Sequence, residues 1–251
     1  MGYHPPVRYP VALVLAASLG CAAENPPPKT GDAPKAEAKA SAAAKPDATE
    51  APAKADPSLK RWSFDEGAAG SIPEGFRLLE TASTSTPATW GLMEDESAPS
   101  GGKGFGVLET KNAGQTYNVA LAPDFEATDV ELNVSVKATT GEQDQGGGVV
   151  FRAKDARDYY IARWNPLEKN VKFYVVVAQQ RTALVAADID LDPSQWHTMR
   201  VIVEGKRMEL FMNEASVLVA EDETLTGPGA IGLWTKADAA TWFDDLTAQT
   251  L

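Results

Sequence analysis

Residues 148–177 read GVVFRAKDARDYYIARWNPLEKNVKFYVVV, and this stretch decides the fold. It holds three runs that are rich in β-branched and aromatic residues, and a polar turn separates each run from the next. The runs are Gly148–Ala153, Tyr159–Trp164 and Val171–Val177, and the turns are Lys154–Asp158 and Asn165–Asn170. Short apolar runs between turn residues are typical of β-strands. We therefore predict three consecutive strands here.

The same pattern extends in both directions along the chain. Val130–Val136 alternates apolar and polar residues, and a Glu204–Lys206 turn joins two further runs as a hairpin. The other predicted strands are Thr198–Val203, Met208–Met212, Ala230–Trp234 and Thr241–Leu246. No segment from residue 60 to residue 251 shows a sustained helical period. Many short strands with closely spaced turns predict an all-β fold, an antiparallel β-sandwich or jelly roll.

Several motifs of the chain resemble known families. Trp62–Gly67 (WSFDEG) followed by Pro73–Phe76 (PEGF) is similar to the first strand of concanavalin A-like, laminin G-like jelly rolls. Other motifs resemble exported bacterial members of that group, the DUF1080 or 3-keto-disaccharide hydrolase domains and the glycoside hydrolase family 16-like domains. These motifs are Ser97–Gly101, Asp144–Gly148, Tyr159–Tyr160, Asn165–Asn170 and Trp234–Asp238. The resemblance covers residues 62–246 and implies a concanavalin A-like sandwich. It leaves open whether the domain binds carbohydrate or hydrolyses it, because such folds host both activities.

The N-terminus has the features of an export signal. Met1–Pro10 carries a single arginine and no acid, and the apolar run Val11–Gly20 is too short to span a membrane. Cys21 follows, as in the lipobox of bacterial lipoproteins, although Ser18 stands where that motif usually has leucine. We expect residues 1–20 to be a lipoprotein signal peptide and Cys21 to be lipidated, with ordinary cleavage after Ala23 as the alternative. The predicted location is the bacterial cell envelope, at the outer membrane.

Residues 21–59 are expected to form a disordered tether. From Ala22 to Ser58 the chain has no aromatic residue and no Val, Ile, Leu or Met. Such a composition cannot bury enough apolar surface to offset the entropy of ordering. This leaves residues 60–251 as one domain.

Charge and composition exclude several classes of partner and mechanism. The net charge of −12 argues against nucleic acid and against anionic lipid headgroups, so membrane contact is expected through the lipid anchor only. With one cysteine in the chain, no disulfide can form. His197 is the only histidine of the predicted domain, which gives poor support to a Ser-His triad or a His-rich zinc site.

The catalytic motif of retaining family 16 enzymes is missing. Those enzymes carry Glu-x-Asp-x-x-Glu on one strand, which places two carboxylates on the same face. The nearest match here is Asp188–Asp192 (DIDLD), which has no glutamate and is interpreted as a solvated strand edge. We therefore predict a carbohydrate-binding domain, for oligo- or polysaccharide, without strong catalysis. A glycoside hydrolase-type enzyme and an envelope protein-interaction domain are the alternatives.

A sheet face within residues 149–177 is the predicted binding surface. Strand alternation places Val150 and Arg152 on one face, beside either Tyr159, Ile161 and Arg163 or Tyr160, Ala162 and Trp164. Saccharide recognition needs rings that stack on sugars and donors for hydroxyl groups. The candidate ligand-binding residues are Arg152, Tyr160, Arg163, Asn165, Tyr174, Trp234 and Lys236. The alternative is that the arginines pair with surface acids while the rings fill the core, where Phe64 and Trp242 are also expected.

Acidic pairs near both ends of the domain suggest a structural Ca²⁺. In many carbohydrate-binding jelly rolls the first and last strands lie side by side and hold calcium. The candidate ligands are Asp65, Glu66, Asp244 and Asp245. Carboxylates and backbone carbonyls are suitable calcium ligands. The alternative is that these acids only provide surface charge.

Overall fold

The computed structural model describes residues 56, 58–83 and 87–251. In these residues the only regular secondary structure is β-strand. The strands are β1 Leu59–Trp62, β2 Arg77–Thr81, β3 Thr89–Glu94, β4 Lys103–Glu109, β5 Tyr117–Ala127, β6 Val130–Thr140, β7 Gly147–Ala153, β8 Tyr159–Asn165, β9 Asn170–Val177, β10 Gln180–Asp188, β11 His197–Glu204, β12 Arg207–Met212, β13 Ala215–Glu221, β14 Gly229–Lys236 and β15 Ala240–Thr250. Within the described ranges, no helix is long and apolar enough to cross a membrane. The predicted signal peptide, Cys21 and nearly all of the predicted tether lie outside the described residues.

The strands form two antiparallel sheets, which confirms the predicted sandwich. The eight-stranded sheet has the order β13-β12-β11-β6-β15-β4-β3, with β1 paired to β15. The seven-stranded sheet has the order β10-β9-β8-β7-β14-β5-β2. Because β1 pairs with β15, Trp62 lies opposite Leu246, so the first and last strands are neighbours as predicted.

Two hairpin turns of the chain were not signalled by the sequence. Ala178 and Gln179 connect β9 to β10 with φ angles of 49° and 71°. Asn213 and Glu214 connect β12 to β13 with φ angles of 47° and 67°. Both are turns with positive φ at the two central residues, as in type I′, and such turns usually contain glycine, which neither turn has. The first of these turns matters for the site because it sets the position of Arg181.

The main hydrophobic core lies between the sheets. It contains Phe64, Phe105, Trp164 and Phe243, each at most 5% exposed. The predicted core position of Phe64 is therefore confirmed. Trp242 was expected in this core and is not there: alternation along β15 turns Phe243 inward and leaves Trp242 half-buried, with Lys137 Nζ 5.5 Å from its ring centroid.

A second apolar cluster covers the other face of the seven-stranded sheet. It includes Tyr117, Tyr159, Tyr174 and Trp234. The sheet curls strongly toward this face, as the distance of 2.6 Å between Tyr159 Oη on β8 and Thr81 Oγ1 on β2 shows. In a flat sheet β8 and β2 would be about 19 Å apart, because four strand spacings separate them. The curled face forms a trough that its own side chains fill, and we call it the aromatic trough.

Candidate functional site

In the aromatic trough, Arg163 and Trp234 lie on the two strands that flank Gly148. In the strand register Arg163 lies opposite Gly148, and Gly148 lies opposite Trp234. A Cβ on Gly148 would come 1.9 Å from the carbonyl oxygen of Ala162. Only glycine fits there, so β7 contributes no side chain between Arg163 and Trp234.

Arg181 lies over three rings of the trough. Its guanidinium carbon is 4.3 Å from the ring centroid of Tyr174, 4.9 Å from that of Tyr117 and 5.8 Å from that of Trp234. A guanidinium at these distances is attracted by the ring electrons. The three rings are buried while Arg181 is only half-buried, so Arg181 forms the outermost layer of the trough.

Arg163 is held beneath this layer and joins the rings to a carboxylate. It is 1% exposed, and its Nη1 donates to Tyr174 Oη at 2.8 Å. Its Nη2 lies 3.1 Å from Glu168 Oε2, which Lys172 Nζ also contacts at 2.8 Å. Partial burial by itself would raise the pKa of Glu168. The hydrogen bond from Lys172 and the charge of Arg163 outweigh that effect and lower the pKa to about 2.

Asp144 organises the polar end of the trough. Its carboxylate is buried, and it accepts hydrogen bonds from Asn165 Nδ2 and Lys236 Nζ, both at 2.8 Å. Asn165 Oδ1 in turn accepts the backbone N–H of Glu168 at 2.8 Å. The Asp238 carboxylate accepts the backbone N–H groups of residues 142–144, so the loop that carries Asp144 is fixed. This network holds the cations and amides in place before any ligand arrives.

Five of the predicted ligand-binding residues come together in the trough, and two do not. Arg163, Asn165, Tyr174, Trp234 and Lys236 lie at or near its polar end. The structure brings neither Arg152 nor Tyr160 to this face, which corrects their predicted placement.

A bulge removes Arg152 from the trough. The register between β7 and β14 shifts next to it, and Arg152 has a φ of 49°, so the expected alternation ends there. The buried guanidinium donates to the carbonyl oxygens of Thr128, Leu225 and Gly205 and lies 3.3 Å from Asp129 Oδ1. Arg152 therefore ties together loops at another place in the domain.

Tyr160 belongs to the core between the sheets. Its ring stacks on Phe151 with a centroid distance of 5.4 Å, and its hydroxyl donates to Asp222. Burial and the neighbouring Asp222 carboxylate raise its pKa to about 12. Of the two possible registers, the structure shows the one in which Tyr159, Ile161 and Arg163 face the trough.

Sequence reasoning missed Tyr117 and Arg181. Tyr117 could have been found, because Tyr117, Val119 and Leu121 repeat at every second residue of β5. Arg181 gave no such signal, since it follows a hairpin turn without glycine and the apolar residues of β10 form one continuous run, residues 183–187, that does not alternate with polar ones. The alternative, in which arginines pair with acids and the rings are buried, is also partly met. Arg163 and Glu168 form an ion pair, and the rings of Tyr160, Tyr174 and Trp234 are all buried.

Three of the four predicted calcium ligands lie in one acidic group. Asp244 is fully buried, and its Oδ2 accepts the Ser100 N–H at 3.0 Å. Asp245 Oδ1 accepts the Ser100 hydroxyl at 3.0 Å, and Asp65 Oδ1 is buried with no hydrogen-bond partner in the described chain. Burial raises the pKa of Asp244 to about 6, and the charges of Asp245 and Asp65 add to this effect. Glu66 is exposed to solvent.

The acidic group is not a ready-made metal centre. In the described part of the chain, no three His, Cys, Asp or Glu side chains are arranged as a group that could hold a metal ion. Calcium binding at Asp65, Asp244 and Asp245 therefore stays a prediction.

Comparisons with known proteins agree with the fold. The model of a family described as the 3-keto-alpha-glucoside-1,2-lyase-like domain matches residues 58–249. The carbohydrate-binding module CBM66 from Bacillus subtilis is similar, with a TM-score of 0.55 and 18% identity over 69% of this chain and 95% of that chain. The cellulose-induced protein Cip1 has a TM-score of 0.56 and 10% identity over 76% of this chain and 97% of that chain. No curated protein sequence matches. At these identities the solved structures establish the fold alone.

Proposed function

The chain belongs to the 3-keto-alpha-glucoside-1,2-lyase-like domain family, and from this premise we propose that its aromatic trough binds carbohydrate. The observation that carries the proposal is that aromatic rings and hydrogen-bond donors held by the protein lie next to one another on this sheet face. Tyr174 and Trp234 lie beside Arg163, Asn165 and Lys236 on a curled sheet face. Both rings are buried beneath the half-buried Arg181, so the proposal requires the Arg181 side chain to move aside when a sugar reaches them. Rings pack against the apolar faces of sugars, and charged or amide donors bind their hydroxyl groups.

The name of one structural neighbour of this chain agrees with the proposed function. CBM66 is named as a carbohydrate-binding module, and it shares this sandwich over most of its length. A fold by itself does not define an activity, so the residues of the trough carry the proposal and the fold only agrees with it.

A matched pair of lysine variants tests the binding surface. Lys236 Nζ contacts Asp144 at 2.8 Å on the trough, and Lys137 Nζ contacts Asp95 at 2.8 Å on the outer face of the other sheet. Both lysines are mostly buried, so Lys236→Met and Lys137→Met remove similar ion pairs. A glycan array should identify ligands of the wild type, and Lys236→Met should weaken their binding roughly tenfold or more. Lys137→Met should leave affinity unchanged. Equal losses in both variants, or no glycan bound by wild type, would favour a protein-interaction domain.

A second candidate function is an enzyme on glycosidic bonds, as the family's description suggests. Two carboxylates, Asp144 and Glu168, lie at the polar end of the trough. Asn165 donates to the Asp144 carboxylate and accepts the backbone N–H of Glu168. The low pKa of Glu168 keeps it ionised at neutral pH, so it cannot act there as a general acid. Release of product from oligosaccharides or 3-keto-glucosides, abolished by Asp144→Asn in a folded variant, would establish the enzyme. If none of these substrates releases product, the enzyme proposal is refuted.

We further propose that the protein is exported and anchored through a lipid on Cys21. The apolar run before Cys21 and the composition of residues 22–58 support this location. Wild type should partition into the detergent phase in a phase-separation assay, and Cys21→Ser should stay in the aqueous phase. A mature wild-type chain that starts after Ala23 would contradict the lipid anchor.

A further inference from the structure

Cationic side chains outnumber acidic ones around Trp234. Arg163 and Lys172 share one carboxylate, that of Glu168. Lys236 pairs with Asp144. These pairs leave one cation in excess before Arg181 is considered, although the whole chain carries a net charge of −12.

Arg181 adds a second cation that has no acid of its own. Among the residues that the structure describes, no carboxylate lies within ion-pair distance of its guanidinium. Its Nη1 is buried and has no hydrogen-bond partner there. The nearby Asp238 carboxylate is occupied by the backbone N–H groups of residues 142–144. The excess therefore persists even if Asp238 is counted.

The position of Arg181 makes it the first group that a ligand meets. It is half-buried, while the rings of Tyr117, Tyr174 and Trp234 lie buried beneath it. A neutral sugar that reached the rings would displace the guanidinium and give it no charged partner in return. A carboxylate would pair with the planar guanidinium through two parallel hydrogen bonds.

We propose that the aromatic trough selects acidic saccharides, those that carry a carboxylate, and that Arg181 is the residue that recognises this group. The inference rests on the proposed carbohydrate binding and adds the charge of the ligand. Lys172 and Lys236 strengthen the preference through the local positive charge, whereas Arg181 supplies the specific contact.

Oligogalacturonate and its methyl ester test the inference, because they share the sugar rings and differ in charge. Affinities of the purified protein for both probes are measured by calorimetry at low and at physiological ionic strength. Wild type should bind the acid form at least tenfold more tightly than the ester, and the difference should shrink with added salt. Arg181→Gln should lower affinity for the acid form ten- to a hundredfold, and Arg181→Lys should restore only part of it.

Arg61→Gln is the matched control. Arg61 is an exposed arginine on β1, in the other sheet, so this variant has the same net charge as Arg181→Gln. Melting curves establish that each variant is folded. An ester that binds as tightly as the acid overturns the acidic preference and leaves carbohydrate binding intact. An acid preference that survives in folded Arg181→Gln overturns the role of Arg181. If wild type binds neither probe nor any glycan on an array, the proposed function fails as well.

Discussion

Asp244 should make the domain less stable as the pH rises from acidic to neutral. Its carboxyl group is fully buried, and its pKa in the folded state is about 6. An aspartate in the unfolded chain has a pKa of about 3.9. Between these two values the folded state holds a proton that the unfolded state has released, so stability falls with increasing pH. For a shift of this size the fall between pH 4.5 and pH 7.5 is about 2 kcal/mol.

Other shifted carboxylates do not mask this effect. The pKa of Asp95 is lowered to about 2, because hydrogen bonds from Lys137 and Ser97 outweigh the effect of burial. The pKa of Glu168 is likewise lowered to about 2, because the hydrogen bond from Lys172 and the charge of Arg163 outweigh the effect of burial. A group with a lowered pKa stabilises the fold at pH values above its unfolded pKa, and most of this contribution is lost only as the pH falls below about 4.5. The window from pH 4.5 to pH 7.5 therefore reports mainly on Asp244.

Urea unfolding followed by tryptophan fluorescence measures the effect across this window. Wild type should lose about 2 kcal/mol, and Asp244→Asn should show a flat profile. The slope is compared rather than the absolute value, because an asparagine oxygen can accept from only one of the two N–H groups that Asp244 binds. Asp95→Asn should keep the wild-type slope. An unchanged slope in Asp244→Asn, or a flat wild-type profile, would refute the assignment.

Two further predictions concern calcium and Arg152. Millimolar Ca²⁺ should raise the melting temperature and EDTA should lower it, with a larger difference at pH 7.5 than at pH 5, because the ion binds only the ionised Asp244; identical curves would refute calcium binding by Asp65, Asp244 and Asp245. Arg152→Ala should destabilise the domain by about 2–4 kcal/mol, because several buried partners lose a donor, while glycan affinity of the folded protein stays at the wild-type value. If folded Arg152→Ala bound glycans more weakly than wild type, Arg152 would instead belong to the binding site.

Much of the fold was predictable because its strands follow simple alternation. β6 turns Val130, Leu132 and Val134 toward the core, and the β11–β12 hairpin has Gly205 at a φ of 56°. Two of the missed features, the β9–β10 turn and the position of Arg152, involve residues that adopt conformations their type rarely shows. Ala178 and Gln179 form a turn that usually needs glycine, and Arg152 has positive φ within a strand. Nothing in those side chains indicates such backbone angles, which tertiary packing imposes.

The candidate site was predictable in composition and only partly in arrangement. The rings and cations of β8, β9 and β14 stood out by residue type, and five of the predicted residues do meet. Their face depended on the register of β7 and β8, and one residue of slip would have exchanged Tyr159 for Tyr160. Arg181 was beyond reach, because its contact with Tyr117 joins strands at opposite sides of the sheet and depends on the curl.

The pairing of the first and last strands has a mechanical consequence. Leu59 lies opposite Gln249, so the start of β1 and the end of β15 are at the same end of their ladder. A pull on both ends of the domain therefore loads the hydrogen bonds one after another, beginning at Leu59, instead of shearing them together. Trp62, which meets Phe76 and Phe125 edge-on, is the last contact of β1 to yield. Under force the domain would unzip along this seam while the rest of the sandwich still holds.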